Sequence, residues 1–207
     1  VAPWLDDALV AALADGATTR TYPRNAIIVN EGDATDALYV IVEGRVKVFL
    51  ANEDGKEVIL DVQGPGEYFG ELTLDGGKRS ASVMTIEKSK LMMGPNDRVE
   101  QVLADNPSFA KHLVYKLIRR IRVLTENVRG LALQNVYGRF TRLLQDLAVE
   151  QDGRLVVPGR LTQQEMASRI GASREMVSRI LTELARGEYV RVTGREIELV
   201  KKLPLDW

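Results

Sequence analysis

The strongest constraint on the fold is a seven-residue repeat of apolar side chains between residues 107 and 134. Apolar residues recur at alternating steps of four and three, which keeps them on one narrow stripe of a helix. A helix that packs only on its own domain has a broader apolar stripe. We therefore expect a long helix that pairs with a second copy of itself, with a core helix of a monomer as the alternative. The stripe consists of Ala110, Val114, Leu117, Ile121, Leu124, Val128 and Leu131.

The residues before this helix have the pattern of a β-rich domain. Short β-prone runs between residues 26 and 93 are separated by glycine, with turn signals at Glu43-Gly44 and Asp54-Gly55. Many short strands at close spacing are typical of a sandwich or barrel rather than of alternating strands and helices. Three leucines spaced by four predict a packing helix within the first twenty residues. These leucines are Leu5, Leu9 and Leu13.

Behind the repeat, Asn135 is a suitable N-cap for a helix that begins at Val136 and runs to about residue 149. Residues 133–135 are therefore a predicted hinge. A loop and one short strand are expected over residues 150–160. The apolar face of the predicted helix consists of Phe140, Leu143, Leu144 and Leu147.

Residues 161–190 have the most specific local pattern. Thr162 and Glu165 have the spacing of a capping box, so a helix begins there. Gly171 allows the left-handed backbone of a tight turn, and Ser173 can cap a second helix. Two short helices joined by such a turn form a helix-turn-helix. The side chains expected to hold the two helices together are Met166, Ile170, Val177, Ile180, Leu181 and Leu184.

The outward face of the second helix has side chains suited to reading DNA. The first turns of such a helix enter the major groove, where Arg matches guanine and Glu can accept from cytosine. Solvated surface charges are the alternative. A hairpin around Thr193-Gly194 predicts the wing of a winged helix, with Arg191 and Arg195 near phosphates. The predicted DNA-binding residues are Thr162, Gln163, Ser173, Arg174, Glu175, Ser178, Arg179 and Arg195.

The distribution of charge supports a polyanionic partner for the rear of the chain. The net charge is −8 over residues 1–106, +5 over residues 107–136 and +2 over residues 137–207. An acidic front and a basic rear favour contact between the rear and nucleic acid.

Composition excludes several classes of function. The chain has no cysteine and one histidine, His112, which excludes disulfides, iron–sulfur clusters and histidine metal clusters. We predict no metal site and no catalytic residue, and a cupin-like enzyme would need a histidine set that is absent. No apolar run reaches the roughly 18 residues of a spanning helix. The prediction is a cytoplasmic protein without a membrane partner.

The segment GELTLDGGKRSAS, residues 70–82, places Glu71 and Arg79 on either side of a glycine-bearing stretch within the predicted sheet region. A buried guanidinium is costly without a counter-charge, and one phosphate together with one carboxylate would satisfy it. The segment is thus a candidate anion site. A plain Glu71–Arg79 salt bridge is the alternative.

With strands, repeat helix and helix-turn-helix in this order, the sequence resembles the catabolite activator / fumarate-nitrate regulator (Crp/Fnr) family of bacterial transcription factors. The resemblance is sharpest in FGELTLDGGKRSAS, RRIRVLTENVRGLA and GASREMVSRILTEL. It implies an α+β fold with three parts. These are a cyclic-nucleotide-binding β-roll, or jelly roll, over residues 1–106, a dimerisation helix over 107–134, and a winged helix-turn-helix domain over 135–207.

The resemblance also implies an effector site. Glu71 would accept the ribose 2′-hydroxyl and Arg79 would bind the cyclic phosphate, with Arg120 near the phosphate and able to pair with Glu71. Leu124 and Thr125 stand where cyclic-AMP-binding members have two hydroxyl residues that reach the adenine, so Leu124 departs from the pattern. The implied ligand-binding residues are Gly70, Glu71, Leu72, Arg79, Ser80, Ala81, Arg120, Leu124 and Thr125.

The implied function is a homodimeric transcription regulator of palindromic double-stranded DNA, controlled by a cyclic nucleotide such as cAMP. RNA polymerase is an implied partner, and no cofactor is obligatory. A regulator with a degenerate pocket, constitutive or gated by another effector, is the alternative. A kinase-type regulatory subunit would not need the helix-turn-helix.

Overall fold

The computed structural model describes the following residues: 5, 7–34, 36–133, 135–158, 161–194 and 196–204. The side chains of residues 7 and 131–133 also lie outside this description. The side chain of the predicted seam residue Leu131 and the predicted DNA-binding residue Arg195 are therefore not placed. The chain divides into two compact units. The front unit comprises Val1–Gly55 and Ile59–Val123, and the rear unit comprises Lys56–Val58 and Leu124–Trp207.

Two four-stranded sheets form the front unit, in the orders β1-β8-β3-β6 and β2-β7-β4-β5. Their facing sides enclose a core of apolar side chains contributed by both sheets. This is the predicted β-roll. The strands are β1 (Thr18–Tyr22), β2 (Ile27–Val29), β3 (Ala37–Glu43), β4 (Val46–Ala51), β5 (Glu57–Gln63), β6 (Tyr68–Phe69), β7 (Ser82–Thr85) and β8 (Ser89–Pro95).

Strand β3 is buried on both faces from Ala37 to Ile41, which explains the unbroken apolar sequence of these residues. Tyr39 and Ile41 point into the core between the sheets. Leu38 and Val40 point the other way, into a second core shared with helices. Because successive side chains of a strand alternate between its two faces, a strand between two cores is apolar throughout.

The second core is closed by helices α1 (Asp7–Ala14), α2 (Asn96–Asp105) and the beginning of α3 (Pro107–Leu133). Leu5, Leu9 and Leu13 are buried in it, as predicted, although Leu5 precedes the first helical residue. Phe109 of α3 is fully buried in the same core. The first turns of α3 therefore belong to the packing of the front unit.

Helix α3 is continuous over 27 residues, which confirms the predicted long helix. At a rise of 1.5 Å per residue this corresponds to about 40 Å. Three residues of the predicted seam are exposed, Val114 at 54%, Ile121 at 62% and Val128 at 64%. These three residues are therefore not covered by the described residues of this chain, whereas Ala110, Leu117 and Leu124 are half-buried.

The rear unit has a helical core built from α4 (Val136–Leu147), α5 (Gln163–Ile170) and α6 (Arg174–Arg186). The Asn135 side chain accepts a hydrogen bond of 2.8 Å from Gly138 N, which confirms the predicted cap of α4. All six apolar residues predicted to join α5 and α6 are buried. With Phe140 and Leu144 of α4 they form one core.

A four-stranded sheet covers this helical core, in the order β11-β12-β10-β9. Its strands are β9 (Val149–Gln151), β10 (Arg154–Val157), β11 (Val190–Thr193) and β12 (Glu196–Leu199). The β11–β12 hairpin is the predicted wing. The expectation of a loop and a single strand over residues 150–160 was wrong, because β9 and β10 pair as a second hairpin and β10 pairs with β12. The pairing of β10 with β12 leaves little local signal, but Asp152-Gly153 between β9 and β10 is a hairpin turn signal that was overlooked.

Candidate functional sites

The segment between β6 and β7 contains a short 3-10 helix, Glu71–Asp75, with a left-handed glycine at each end. Gly70 has φ 98° and Gly76 has φ 78°, a backbone region that favours glycine. Thr73 ties the turn together, since its Oγ1 donates to the Gly70 carbonyl over 2.9 Å. We call Gly70–Ala81 the cassette.

Arg79 is buried at the base of the cassette and is only 4% exposed. Its Nη1 donates to the Gly70 carbonyl over 3.2 Å, and its Nη2 donates to the Ala37 carbonyl over 2.6 Å. The guanidinium lies 5.8 Å from the ring of Tyr39, which stacks on Phe69. Burial lowers the pKa of Arg79, and the nearby Tyr39, Asp36 and Glu71 oppose this effect. The base of the cassette therefore holds a buried guanidinium whose charge a ligand anion could neutralise.

Glu71 pairs with Lys116 of α3. Lys116 Nζ lies 3.3 Å from Glu71 Oε2, and the two side chains are only 14% and 13% exposed. The alternative of a Glu71–Arg79 salt bridge is not found among the described residues. The Glu71 carboxylate is thus held by Lys116, whereas the Arg79 guanidinium is held by the carbonyls of Gly70 and Ala37.

Arg120 does not pair with Glu71, contrary to our expectation. Its Nη1 lies 3.0 Å from Asp61 Oδ2 and donates to the Leu60 carbonyl over 3.1 Å. A cation one helical turn earlier, Lys116, reaches Glu71 instead. Residues four apart share a helix face, so the spacing from Arg120 was a signal that could have identified Lys116.

The other predicted ligand residues differ in exposure. Leu72 is 50% exposed, Ser80 is exposed and Ala81 is 8% exposed. Leu124 and Thr125 lie further along α3, within the rear unit. Their role at the effector site stays a prediction.

In the rear unit, local hydrogen bonds position the helix-turn-helix. Glu165 N donates to Thr162 Oγ1 over 3.1 Å and Thr162 N donates to Glu165 Oε2 over 2.7 Å, which confirms the capping box. Gly171 has φ 64° at the turn. Ser173 caps α6 by accepting from Met176 N. These contacts fix where α5 begins and ends and where α6 begins.

Side chains on the outward face of α6 and at the beginning of α5 line an open groove. Four predicted readers in the first two turns of α6 contribute to it, and Gln163 adds an amide from α5. Thr182, one turn further on, was not predicted, although it lies four residues after Ser178 and donates to the Ser178 carbonyl. The residues that line the groove are Gln163, Arg174, Glu175, Ser178, Arg179 and Thr182.

On the wing, Arg191 is engaged within the sheet. Its Nη1 lies 2.7 Å from Glu198 Oε2 of the neighbouring strand. The Arg191 side chain is still 63% exposed, so its expected position near a DNA phosphate stays a prediction. Arg195 falls outside the described residues.

Comparison with known proteins identifies the family. Residues 19–106 match the family model described as cyclic nucleotide-binding domain, and residues 138–203 match that of the Crp-like helix-turn-helix domain. The CRP-like cAMP-activated global transcriptional regulator of Mycobacterium tuberculosis is 33% identical over 198 residues, which cover 93% of this chain and 88% of the relative. The chain belongs to the Crp/Fnr family. The predicted family and fold class are thereby confirmed.

Two further Crp/Fnr proteins show how far the similarity extends. The cAMP-activated global transcriptional regulator CRP of Salmonella typhimurium is 33% identical over 181 residues, covering 85% of this chain and 86% of the relative. The c-di-GMP responsive global regulator CLP of Xanthomonas campestris has the same fold, with a TM-score of 0.82 and 25% identity. That match covers 95% of this chain and all of the CLP chain.

Membership in the Crp/Fnr family settles the broad class of function. The protein is a DNA-binding transcriptional regulator with a cyclic-nucleotide-binding type of domain, and it is not an enzyme. Within the described ranges no helix has the length and apolar character needed to cross a bilayer. The described side chains also contain no group of three or more His, Cys, Asp or Glu residues arranged to hold a metal ion.

Proposed function

We propose that this regulator is a homodimer whose β-roll binds cAMP and whose affinity for palindromic operator DNA depends on that binding. The observation that carries the effector proposal is the buried Arg79 beside a left-handed Gly70. A guanidinium held by two backbone carbonyls at the base of an open turn is preorganised for a phosphate. Glu71 supplies a nearby acceptor for a ribose hydroxyl. The cAMP-activated relatives support the same effector.

The homodimer proposal rests on the seam of α3. Val114, Ile121 and Val128 are each more than half exposed in the described chain, and they recur at a seven-residue spacing. Exposed apolar residues at this spacing are buried by a second helix of the same kind. A two-fold dimer would present two α6 helices to successive major grooves, about 34 Å apart.

On the DNA, we propose that Arg174, Glu175, Ser178 and Arg179 contact base edges from the groove on α6. Thr162, Gln163, Ser173 and Arg195 would contact the phosphate backbone. We also propose the domain boundaries predicted from the sequence, a cytoplasmic location and a contact with RNA polymerase. These proposals follow from the family's mode of action.

Leu124 gives a specific reason to keep a second effector in view. Leu124 can pack on a base but cannot bond its exocyclic amine, whereas Thr125 can. A missing bond to a buried donor costs roughly 1–3 kcal/mol, enough to weaken or redirect ligand choice. The CLP fold neighbour, described as responsive to c-di-GMP, makes an effector other than cAMP the second candidate.

Calorimetric titration of the purified protein with cAMP, cGMP and c-di-GMP tests the proposal. We expect heat of binding with cAMP and a rise in affinity for a palindromic duplex, measured at one fixed salt concentration. The ligand can change DNA affinity only by binding the two forms of the protein unequally. No heat with cAMP and unchanged DNA affinity would refute cAMP control. A response to c-di-GMP alone would establish the second candidate.

A further inference from the structure

The Lys116 side chain extends from α3 to the cassette and is held there by three contacts. Its Nζ lies 3.3 Å from Glu71 Oε2 and 3.7 Å from the centre of the Tyr68 ring. It also donates to the Tyr68 carbonyl. An ammonium with a carboxylate, a carbonyl and an aromatic face around it has a fixed position.

This arrangement leaves part of the Glu71 carboxylate available. Lys116 engages Oε2, and Oε1 accepts no hydrogen bond from the described residues. The adjacent residue, Gly70, has its carbonyl bonded to Arg79 Nη1. Glu71 directly follows the residue whose carbonyl binds the Arg79 guanidinium, yet its carboxylate is paired with a different cation, Lys116.

We propose that Lys116 is a positioning residue that holds Glu71 apart from Arg79. The carboxylate then remains an acceptor for a ligand hydroxyl, and the guanidinium remains directed at a ligand phosphate. The inference deepens the proposed function and rests on it for the identity of the ligand. Its specific consequence is selectivity for a ribose 2′-hydroxyl.

The physical reason is the cost of leaving the Glu71 carboxylate without a counter-charge at a site this little exposed. Glu71 lies close enough to Arg79 for the two charges to interact. Arg79 would gain from such a partner, because burial already lowers its pKa. Arg120 cannot replace Lys116 without giving up Asp61, 3.0 Å away. Without Lys116, the two ligand-binding groups would therefore neutralise each other.

The first test compares cAMP with 2′-deoxy-cAMP in binding titrations of wild type and Lys116→Met. We expect the ratio of cAMP affinity to 2′-deoxy-cAMP affinity to be at least tenfold smaller in Lys116→Met than in wild type. Lys116→Arg, which keeps the charge, should restore most of this preference. Lys111→Met, at an exposed lysine of the same helix, is the matched control and should bind as wild type does. An unchanged preference in Lys116→Met would overturn the proposal.

The second test needs no ligand. The Nε–Hε resonance of Arg79, observed by nitrogen-15 NMR, should shift in Lys116→Met because the guanidinium gains the carboxylate. It should return towards the wild-type position when Glu71→Gln is added. Lys116→Gln provides a second variant should Lys116→Met fold poorly. An Arg79 resonance that does not move refutes the positioning role.

The two tests distinguish the proposals from each other. If wild type binds no cAMP but the Arg79 resonance shifts as described, the effector is wrong and the role of Lys116 stands. If wild type binds cAMP and both affinities of Lys116→Met fall equally, cAMP control stands. Lys116 would then support the fold only.

Discussion

Arg79 Nη1 donates to the carbonyl oxygen of Gly70 over 3.2 Å, so the buried cation is bonded to the residue that opens the cassette. Gly70 has no side chain that could obstruct this contact. A Cβ added there would collide with Arg79 Nη1 and lie 2.7 Å from the Ala37 carbonyl oxygen. The position of the guanidinium therefore depends on glycine at residue 70.

Gly70→Ala should both destabilise the protein and weaken nucleotide binding. A non-glycine residue at φ 98° costs about 1–3 kcal/mol in strain, and displacement of Arg79 adds to this. We expect a loss of at least about 2 kcal/mol in urea unfolding. Gly76→Ala is the matched control, since φ is 78° but a Cβ there meets no atom. It should show the strain with unchanged cAMP affinity. Equal loss of affinity in both variants would contradict this assignment.

Arg179→Ala should weaken specific DNA binding and relax the preference at one base pair in each half-site. A good bidentate contact between a side chain and a base contributes about 1–3 kcal/mol of discrimination. We therefore expect roughly a tenfold loss of operator affinity or more, measured by fluorescence anisotropy at constant salt. Arg186→Ala, in the last turn of α6, serves as the control and should have a small, sequence-independent effect.

Ile121→Asp should dissociate the proposed dimer. Ile121 is 62% exposed on the seam of α3, and pairing would bury it. Since an unpaired buried carboxylate costs several kcal/mol, the dissociation constant should rise at least about a hundredfold. Val123→Asp, at a 49% exposed residue off the seam, is the comparison. Sedimentation velocity that finds both variants dimeric would argue against the seam as the interface.

Tyr68 should make the protein less stable in alkali. Burial raises the pKa of its phenol, and the charge of Glu71 adds to the increase. The folded chain therefore keeps this proton above pH 10, where an unfolded tyrosine loses it. The stability that the protonated Tyr68 phenol contributes to the folded state is fully present below about pH 10 and is lost as the pH rises further.

Tyr68→Phe tests this prediction by urea unfolding between about pH 8 and 11. The variant loses the hydrogen bond to His112 Nδ1, at a cost of about 1 kcal/mol. Its free energy of unfolding should nevertheless fall less steeply above pH 10 than that of wild type. Tyr115→Phe, at an exposed residue of α3, should keep the wild-type slope. Parallel slopes for all three proteins would refute the role of Tyr68.

The features predicted best from the sequence are those fixed by neighbouring residues. The Asn135 cap, the Thr162–Glu165 capping box and the left-handed Gly171 each depend on atoms within four residues. The pattern of residues is therefore sufficient to locate the helix boundaries. The order of these elements led to the correct family.

Features that depend on distant pairing could not be predicted in this way. The turn at Glu43-Gly44 suggested adjacent strands, but β3 and β4 belong to different sheets. The pairing of β10 with β12 joins residues 40 to 44 positions apart. Such contacts depend on which surfaces meet in the folded chain, and one sequence does not specify this locally.

The partner of Glu71 illustrates the same limit within the candidate site. Glu71 and Lys116 are 45 positions apart, and their contact requires α3 to pack beside the cassette. From the sequence we expected Arg79 or Arg120 as the partner of Glu71 and missed Lys116. The packing of α3 beside the cassette brings Lys116 to Glu71 and Arg120 to Asp61.

The left-handed glycines at both ends of the 3-10 helix have a consequence for protein engineering. An inserted residue would shift a side chain into one of the two positive-φ positions, so the loop should tolerate exchange of its exposed residues better than an insertion. Libraries that aim to retarget this site to new metabolites should therefore keep the spacing from Gly70 to Gly76, keep Thr73, and diversify the other four positions between the two glycines.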